Sequence, residues 1–187
     1  AEAGLQAGIE ALRSSRIRRG WLWRDGRKLT AEDLRSVVNT RMMADGFLPS
    51  HTICAPGDQA GDPHQEGHGP IRANTPVVMD IFPRSEKTGY FGDLTRTVVR
   101  GRASYALHEV YAIVHEGVRL GHGMVREGVQ GMDVHRAIQA LFDRQGYKTG
   151  VQGGRMQGFF HGTGHGLGLQ IHEAPSIGKR PCVLRAG

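Results

Sequence analysis

The chain has 187 residues, of which 39% are apolar and 22% charged, and its formal net charge is +6. This length and apolar fraction suit a single domain over residues 1–187 with its own core, and they exclude an intrinsically disordered chain. No apolar run approaches the roughly 18 residues of a membrane span, so we expect no membrane partner. Cys54 and Cys182 lack spacing partners, which excludes a disulfide scaffold or zinc ribbon and favours a cytoplasmic protein.

Much of the positive charge falls in one early stretch that contains few acidic residues. Its basic side chains are Arg13, Arg16, Arg18, Arg19, Arg24, Arg27 and Lys28. Such a cluster can bind phosphate or an acidic partner. Only Trp21 and Trp23 interleave with it, however, and no nucleic-acid motif accompanies it. A solvated, partly helical face is therefore favoured, and nucleic acid is not an expected partner.

The first part of the chain is predicted to contain two helices and a long loop. Residues 3–17 form an amphipathic helix in this prediction, from apolar residues at near-helical spacing: Leu5, Ile9, Leu12 and Ile17. Thr30 followed by Asp33 is typical of a capping box that opens a second helix, which Gly46 ends. Residues 56–70 then form a loop rich in Gly, Pro and Asp, and loops of this length are usually functional or mobile.

Two aspartates, Asp80 and Asp93, fall in one predicted β-hairpin with strands near residues 77–82 and 90–99. In the register that pairs 80 with 93, residues 84 and 89 also pair and a four-residue loop of common hairpin length remains. Two carboxylates then project side by side. Like charges opposite each other on a sheet are destabilising, and crowded carboxylates keep a proton or recruit cations. The hairpin therefore predicts a metal site.

The rest of the chain is predicted to contain two helices, over about residues 104–126 and 133–145, followed by a glycine-rich segment of strand and turn. This segment places three imidazoles within twelve positions: His161, His165 and His172. Histidine is the commonest metal ligand and the usual acid or base near neutral pH. Three histidines together with the paired aspartates favour a metal site over buried structural histidines.

These motifs resemble those of the M24 metallopeptidases, the pita-bread enzymes that include Xaa-Pro aminopeptidases, prolidases and methionine aminopeptidases. The resemblance rests on residues 51–70, on the Asp-x12-Asp spacing within 77–97, and on His-Gly-Thr-Gly-His-Gly from position 161 with His-Glu-Ala-Pro from position 172. It is closer to the Xaa-Pro branch, which has a short insertion between the two aspartates. It implies an α+β pita-bread fold (creatinase/aminopeptidase), a curved antiparallel sheet flanked by helices, here without its last strands.

The resemblance also implies a role for each candidate residue. Asp80 would bind one metal ion in a bidentate way, Asp93 would bridge two ions, and His165 would be the single histidine ligand. His64 matches a histidine near the substrate amine or scissile carbonyl, and His172 one that stabilises the tetrahedral intermediate. His161 matches a histidine lining the substrate pocket. The remaining histidines are read as surface or structural: His51, His68, His108, His115, His122 and His135.

The departure from the family pattern concerns two further glutamate ligands, which the family carries downstream of the histidine segment. The chain reaches Gly187 without them, and it begins without an initiator Met, so we expect an excised or processed polypeptide. Two divalent ions (Mn, Co, Zn or Fe) are expected in a complete enzyme, and one or none in this chain. Two functions are considered: a metal-dependent aminopeptidase acting on Xaa-Pro peptides, and an inactive peptide-binding module of the same fold. A homo-oligomer is a further expectation.

Overall fold

The computed structural model describes residues 1–186. They form two compact units: residues 1–104 together with 167–171, and residues 105–166 together with the chain from 172 onward. Within the described residues, no helix has both the length and the apolar character required to cross a bilayer.

The first unit contains two α-helices, a 3-10 helix at Gly57–Gly61 and eight strands. The α-helices are α1 (Glu2–Ser14) and α2 (Ala31–Ala44). The strands are β1 (Arg16–Arg18), β2 (Trp21–Arg24), β3 (Arg27–Lys28), β4 (Phe47–Leu48), β5 (Ile53–Pro56), β6 (Pro76–Ile81), β7 (Arg84–Ser85) and β8 (Leu94–Val99). All pairings are antiparallel, in the orders β1-β2-β3, β5-β6-β8 and β4-β7.

The core of this unit lies between the two helices and one face of the β5-β6-β8 sheet. Strand β6 alternates between buried and half-buried residues, and its buried members are Val77, Met79 and Ile81. They pack with Leu12 of α1 and Leu34 of α2. Each such side chain contributes about 1.5–3 kcal/mol when it is fully buried. This alternation assigns the intervening residues of β6, among them Asp80, to the other face of the sheet.

Helix α2 begins as predicted. The Asp33 backbone N–H donates to Thr30 Oγ1 at 3.2 Å, and the Thr30 N–H donates to Asp33 Oδ2 at 3.1 Å, which completes the capping box. The Arg27 guanidinium donates to both oxygens of Asp33 at 2.6 and 2.7 Å and holds the pKa of this carboxyl below its ordinary value. The cap therefore stays ionised and keeps its acceptors available.

Helix α1 is shorter than predicted, because it ends at Ser14 rather than at Ile17. Ser15 is extended, its hydroxyl donates to the Leu12 carbonyl at 2.6 Å, and its own carbonyl accepts from Arg100. Ile17 then pairs with Leu22 on the next strand. Ile17 therefore belongs to a strand, and its helical spacing from Leu12 was coincidental.

Arg13 of the basic stretch lies in α1, which agrees with a partly helical face, whereas residues 16–28 form a three-stranded β-meander. Two-residue loops join its strands, Arg19-Gly20 and Asp25-Gly26, and all four of these residues have positive φ. Paired positive φ values are those of the tight hairpin turns that match the twist of antiparallel strands. The Asp25-Gly26 pair was a recognisable hairpin signal.

The hairpin that carries the aspartates has a different register from the predicted one. Asp80 pairs with Thr95 rather than Asp93, and the loop is 86–89 because the Ser85 N–H donates to the Tyr90 carbonyl at 2.8 Å. Gly89 has a φ of +77°, which a glycine adopts without the cost of a side chain. The predicted register would have forced this residue into a strand pair.

The second unit consists of two helices and two short antiparallel ribbons. Its elements are α3 (Tyr105–Met124), α4 (Gly131–Arg144), β9 (Gly150–Gln152), β10 (Arg155–Gln157), β11 (Gly164–Gly166) and β12 (Glu173–Ile177). The helices agree with the predicted ranges, whereas only short parts of 159–172 are strand. The α3 histidines are exposed, as the sequence indicated: His108, His115 and His122.

Replacement of Thr30 by alanine tests the cap of α2. We expect Thr30→Ala to lower the free energy of unfolding by about 1 kcal/mol, because an N-terminal backbone N–H loses its acceptor. Urea unfolding followed by circular dichroism measures this change. The control, Thr40→Ala, alters an exposed residue inside the same helix. An equal loss in both variants would contradict the capping role.

Candidate metal and peptide site

Asp80 lies on β6, half-buried, on the sheet face that points away from the core. Its strand partner is Thr95, whose hydroxyl donates to Asp80 Oδ1 at 2.5 Å. Sequence reasoning missed Thr95 as a functional residue. Because alternate residues of a strand share a face, its place two positions after Asp93 was the available signal.

Asp93 is exposed and directly precedes β8. Alternate residues of an extended strand project to the same side, so Asp93 is expected on the side of Thr95. Because Thr95 pairs with Asp80, Asp93 would be a diagonal neighbour of Asp80. Diagonal neighbours have a separation of about 7–8 Å, within the reach of carboxylates that share cations. The face-to-face pairing was wrong, but the common side of the hairpin does not depend on it.

His165 lies in the middle of β11, opposite Ser176 of β12. Its Nδ1 is 3.0 Å from the carbonyl oxygen of Gly166. A carbonyl oxygen only accepts, so Nδ1 carries the proton and Nε2 presents the lone pair. Histidine ligands in metal sites commonly have this arrangement, with the second nitrogen donating to a carbonyl.

The β11–β12 ribbon also brings two of the predicted histidines together. The register shifts after His165, so that Gly166 pairs with Glu173. A Cβ on Gly166 would collide with the carbonyl oxygen of Ala174, which explains a glycine at this position. The rings of His165 and His172 lie edge to face with centroids 4.4 Å apart. Two of the three imidazoles therefore share one small surface.

The ring of His161 packs against a half-buried aromatic side chain. Its ring lies edge to face on Phe159 at 5.0 Å, and its Nδ1 donates to the Gly162 carbonyl at 2.8 Å. Phe159 in turn lies 5.1 Å from the ring of His135, which is 1% exposed. His135 Nδ1 is 2.9 Å from Thr163 Oγ1. His135 thus supports the 159–163 segment at both ends.

Nothing in the sequence pointed to this role of His135. It lies on the buried face of α4 next to Val134, where a histidine is most often structural. Desolvation lowers its pKa, and the charges of Lys179 and His161 lower it further. The buried imidazole is therefore neutral at neutral pH.

His64 lies at the exposed tip of the long loop, where its side chain is 94% exposed. Its backbone N–H donates to Asp62 Oδ1 at 2.9 Å, so the tip is a side-chain-capped turn. The Asp62 oxygen is 3.9 Å from His64 Nδ1. The imidazole itself is thus presented to solvent on a turn whose backbone is fixed.

The base of the loop is tied to the sheet and to α2. The Cys54 N–H donates to the Glu66 carbonyl at 2.9 Å, and Arg35 Nη1 donates to the carbonyls of Glu66 and Gly67 at 2.8 and 2.9 Å. The side chain of Gln59 exchanges two hydrogen bonds with the backbone of His68. These bonds hold the base of the loop in one conformation.

Gly67 is the point of closest approach in this loop. Its φ is +87°, and a Cβ on it would collide with the carbonyl oxygen of Cys54. Burial raises the pKa of the adjacent Cys54 thiol to about 12, so this thiol stays protonated and does not act as a nucleophile.

The donor types agree with a metal site of the expected kind. Two carboxylates and one imidazole suit Mn, Co, Zn or Fe. Asp80 and Asp93 belong to the first unit and His165 to the second. Among residues 1–186, no group of three or more His, Cys, Asp or Glu side chains could hold a metal ion.

The sequence model of Metallopeptidase family M24 matches residues 1–187. The chain belongs to this family. The uncharacterized peptidase YqhT of Bacillus subtilis is 34% identical over 132 residues, which cover 71% of this chain and 35% of that protein. The Xaa-Pro dipeptidase of Lactobacillus delbrueckii subsp. lactis is 26% identical over 192 residues, which cover all of this chain and 46% of that protein. The predicted resemblance to M24 is thus confirmed.

Solved structures confirm the α+β pita-bread fold. The prolidase from Pyrococcus furiosus has a TM-score of 0.79 and 26% identity, over 98% of this chain and 49% of that one. The X-Pro aminopeptidase from Thermotoga maritima has a TM-score of 0.78 and 24% identity, over 98% of this chain and 47% of that one. The M24 chain described here therefore spans about half the length of these relatives or less.

Replacement of Gly67 by alanine tests the tied base of the His64 loop. We expect Gly67→Ala to lower the free energy of unfolding by roughly 1 to 3 kcal/mol, since a side chain is strained at positive φ. The clash with the Cys54 carbonyl adds to this loss. Urea unfolding measures it. Gly61→Ala is the control, because no atom lies within 4 Å of its Cβ and its φ is not positive. Equal stability of the two variants would show that the close approach is unimportant.

The lowered pKa of His135 predicts a pH dependence of stability. In the unfolded chain the imidazole of His135 has its ordinary pKa of 6.5, so as the pH falls it takes up a proton before the buried imidazole does. Acid therefore favours the unfolded chain. We expect the contribution of the neutral His135 imidazole to the free energy of unfolding to be complete above pH 6.5. It should be lost as the pH falls through the pKa of His135 in the folded chain. Urea unfolding between pH 5 and 8 measures the slope.

The variant His135→Gln should have a shallower slope of unfolding free energy against pH than the unmodified chain. Thr163→Val serves as the control, because it keeps the buried imidazole and should keep the slope. A slope unchanged in His135→Gln would refute the assignment.

Proposed function

We propose that this chain carries the substrate-facing residues and three ligands of a metal-dependent aminopeptidase, which hydrolyses the N-terminal peptide bond of Xaa-Pro peptides. The proposal is supported by the strand register, which pairs Asp80 with Thr95 two residues after Asp93, in a chain that matches M24 throughout. Relatives named as an Xaa-Pro dipeptidase and a prolidase support a peptide substrate.

Asp80, Asp93 and His165 would hold the metal. Thr95 orients Asp80 by donating to Oδ1, which leaves Oδ2 as the second oxygen of this carboxylate. The Gly166 carbonyl fixes the tautomer of His165. When bound, a pair of divalent ions polarises the scissile carbonyl and lowers the pKa of the attacking water.

The remaining histidines would bind and orient the peptide. His64, on its fixed turn, would contact the substrate amine or the scissile carbonyl. His172, whose ring lies against that of His165, would donate to the oxygen on which negative charge develops. Such donors matter because they are aimed at a charge that grows in the transition state. His161 would line the substrate pocket, supported from beneath by Phe159.

Substitution of the two aspartates tests this proposal. The protein from the complete open reading frame is loaded with Mn²⁺, and release of alanine from Ala-Pro-Ala and from Ala-Ala-Ala is measured together with bound metal. We expect the Pro peptide to be preferred. Asp80→Asn and Asp93→Asn should each lower kcat/KM by at least about 100-fold and reduce bound metal, because a neutral amide is a weaker ligand than a carboxylate.

Asp58→Asn makes the same chemical change at an exposed residue of the 3-10 helix and should leave both readouts unchanged. Unaltered metal content and turnover in the double variant Asp80→Asn with Asp93→Asn would exclude the metal site. Binding of Ala-Pro-Ala without turnover by a metal-loaded protein would instead identify a non-catalytic peptide-binding module.

A further inference from the structure

The β-meander gathers basic and aromatic side chains on one of its faces. Its register pairs Arg16 with Trp23, Arg18 with Trp21, and Trp23 with Lys28. Directly paired residues of antiparallel strands project to the same side, so these five residues share a face, here called the arginine face. Leu22, between the two tryptophans, is 1% exposed and points the other way, into the core. The arginine face is therefore directed away from the core.

The fold adds a further cation to this face from a distant part of the chain. Arg72 forms an isolated bridge with Trp21, and its guanidinium carbon lies 4.4 Å from the centroid of the Trp21 ring. The ammonium of Lys28 lies 4.4 Å from the same centroid. Two cations thus already pack on this indole. Proteins that bind single-stranded nucleic acid use aromatic rings open to stacking by bases, so this arrangement argues against such a partner.

A concave surface of about 570 Å³ adjoins the arginine face. It is lined by Ser14, Arg16, Arg18, Trp23, Arg24, Asp25 and Gly26. Its volume is that of a small-molecule site rather than of an extended polymer groove. Asp25 is the one acidic lining residue, and its carboxylate is 3.6 Å from Arg24 Nε. No other described residue offers the side chain of Arg16 or Arg18 a hydrogen bond or ion pair, and both residues are exposed, so the two guanidinium groups are open to an anionic ligand.

The indole of Trp23 forms part of the wall of this cavity. Its indole Nε1 is shielded from solvent and has no hydrogen-bond partner among the described residues. A position that a water molecule cannot reach is also closed to a ligand in the cavity, so this N–H is not one of the groups that would bind the ligand.

We propose that this cavity binds a phosphate group carried by a small-molecule ligand, or free phosphate, through Arg16 and Arg18. A phosphate has close to two negative charges and three terminal oxygens, which match the two guanidinium forks of Arg16 and Arg18. A single carboxylate would neutralise the charge of only one of the two guanidinium groups. None of these residues belongs to the proposed metal or peptide set, so the proposal extends beyond the peptidase function.

The tryptophans provide a specific readout for the test. Trp21 and Trp23 are the two tryptophans of this chain, and both lie on the arginine face. Tryptophan emission of this chain is therefore followed while inorganic phosphate, and separately AMP, is added at constant ionic strength. We expect a saturable change. A tighter response to AMP identifies a nucleotide as the source of the phosphate, and an equal response identifies the free ion.

Two variants separate a built site from general attraction of anions. Arg16→Ala with Arg18→Ala should weaken binding at least about tenfold, as expected when charge-assisted hydrogen bonds are lost. Arg16→Lys with Arg18→Lys keeps the charge but loses the fork, and it should weaken binding as well. Arg41→Ala with Arg136→Ala removes the same charge from exposed helix positions and should bind as the unmodified chain does. Circular dichroism verifies that each variant is folded.

The proposal is overturned if emission changes without saturation, or if the Arg41 and Arg136 variant loses binding as much as the cavity variants do. It is also overturned if tetra-aspartate or an oligothymidylate binds more tightly than inorganic phosphate or AMP at equal ionic strength. Either preference would identify a surface for acidic polymers in place of a phosphate cavity.

Discussion

The burial of alternate residues along β6 fixes the face on which Asp80 lies. Val77 and its partners Met79 and Ile81 are at most 1% exposed, so the two-residue period of the strand sends Asp80 to the opposite side. A slip of one residue would place the carboxylate in an apolar core, where an unpaired charge is very costly. The core therefore orients the candidate ligand without touching it. Everything proposed for the hairpin depends on this alternation.

The same reasoning explains how much of the site the sequence predicted. The predicted register of the hairpin was wrong by two residues, because Gly89 occupies the left-handed last position of the loop. A shift of two residues preserves the side of every residue, whereas a shift of one reverses it. The prediction that Asp80 and Asp93 share a side is therefore compatible with the observed register, although the predicted pairing was wrong. Thr95 was missed because its role depends on that pairing.

Other features were recognisable or hidden for different physical reasons. The capping box at Thr30 is a local interaction within four residues, so the sequence was sufficient to predict it. The basic stretch was interpreted as a partly helical face, and its meander was missed although Asp25-Gly26 is a strong local hairpin signal. His135 had no such signal. Its contacts with Thr163 and Phe159 join residues 24 or more positions apart, and only packing reveals them.

The proposed ligands also differ in what holds them. The orientation of His165 is set by the carbonyl of the next residue, so the preferred tautomer is a property of a short segment. The orientation of Asp80 requires a hydroxyl from another strand, fifteen residues along the chain. A ligand of the second kind is in place only when β6 and β8 are paired, so the proposed metal binding would be coupled to the folding of the first unit. Weakening the Thr95 contact should therefore affect metal affinity before it affects the fold, because the buried side of β6 remains intact.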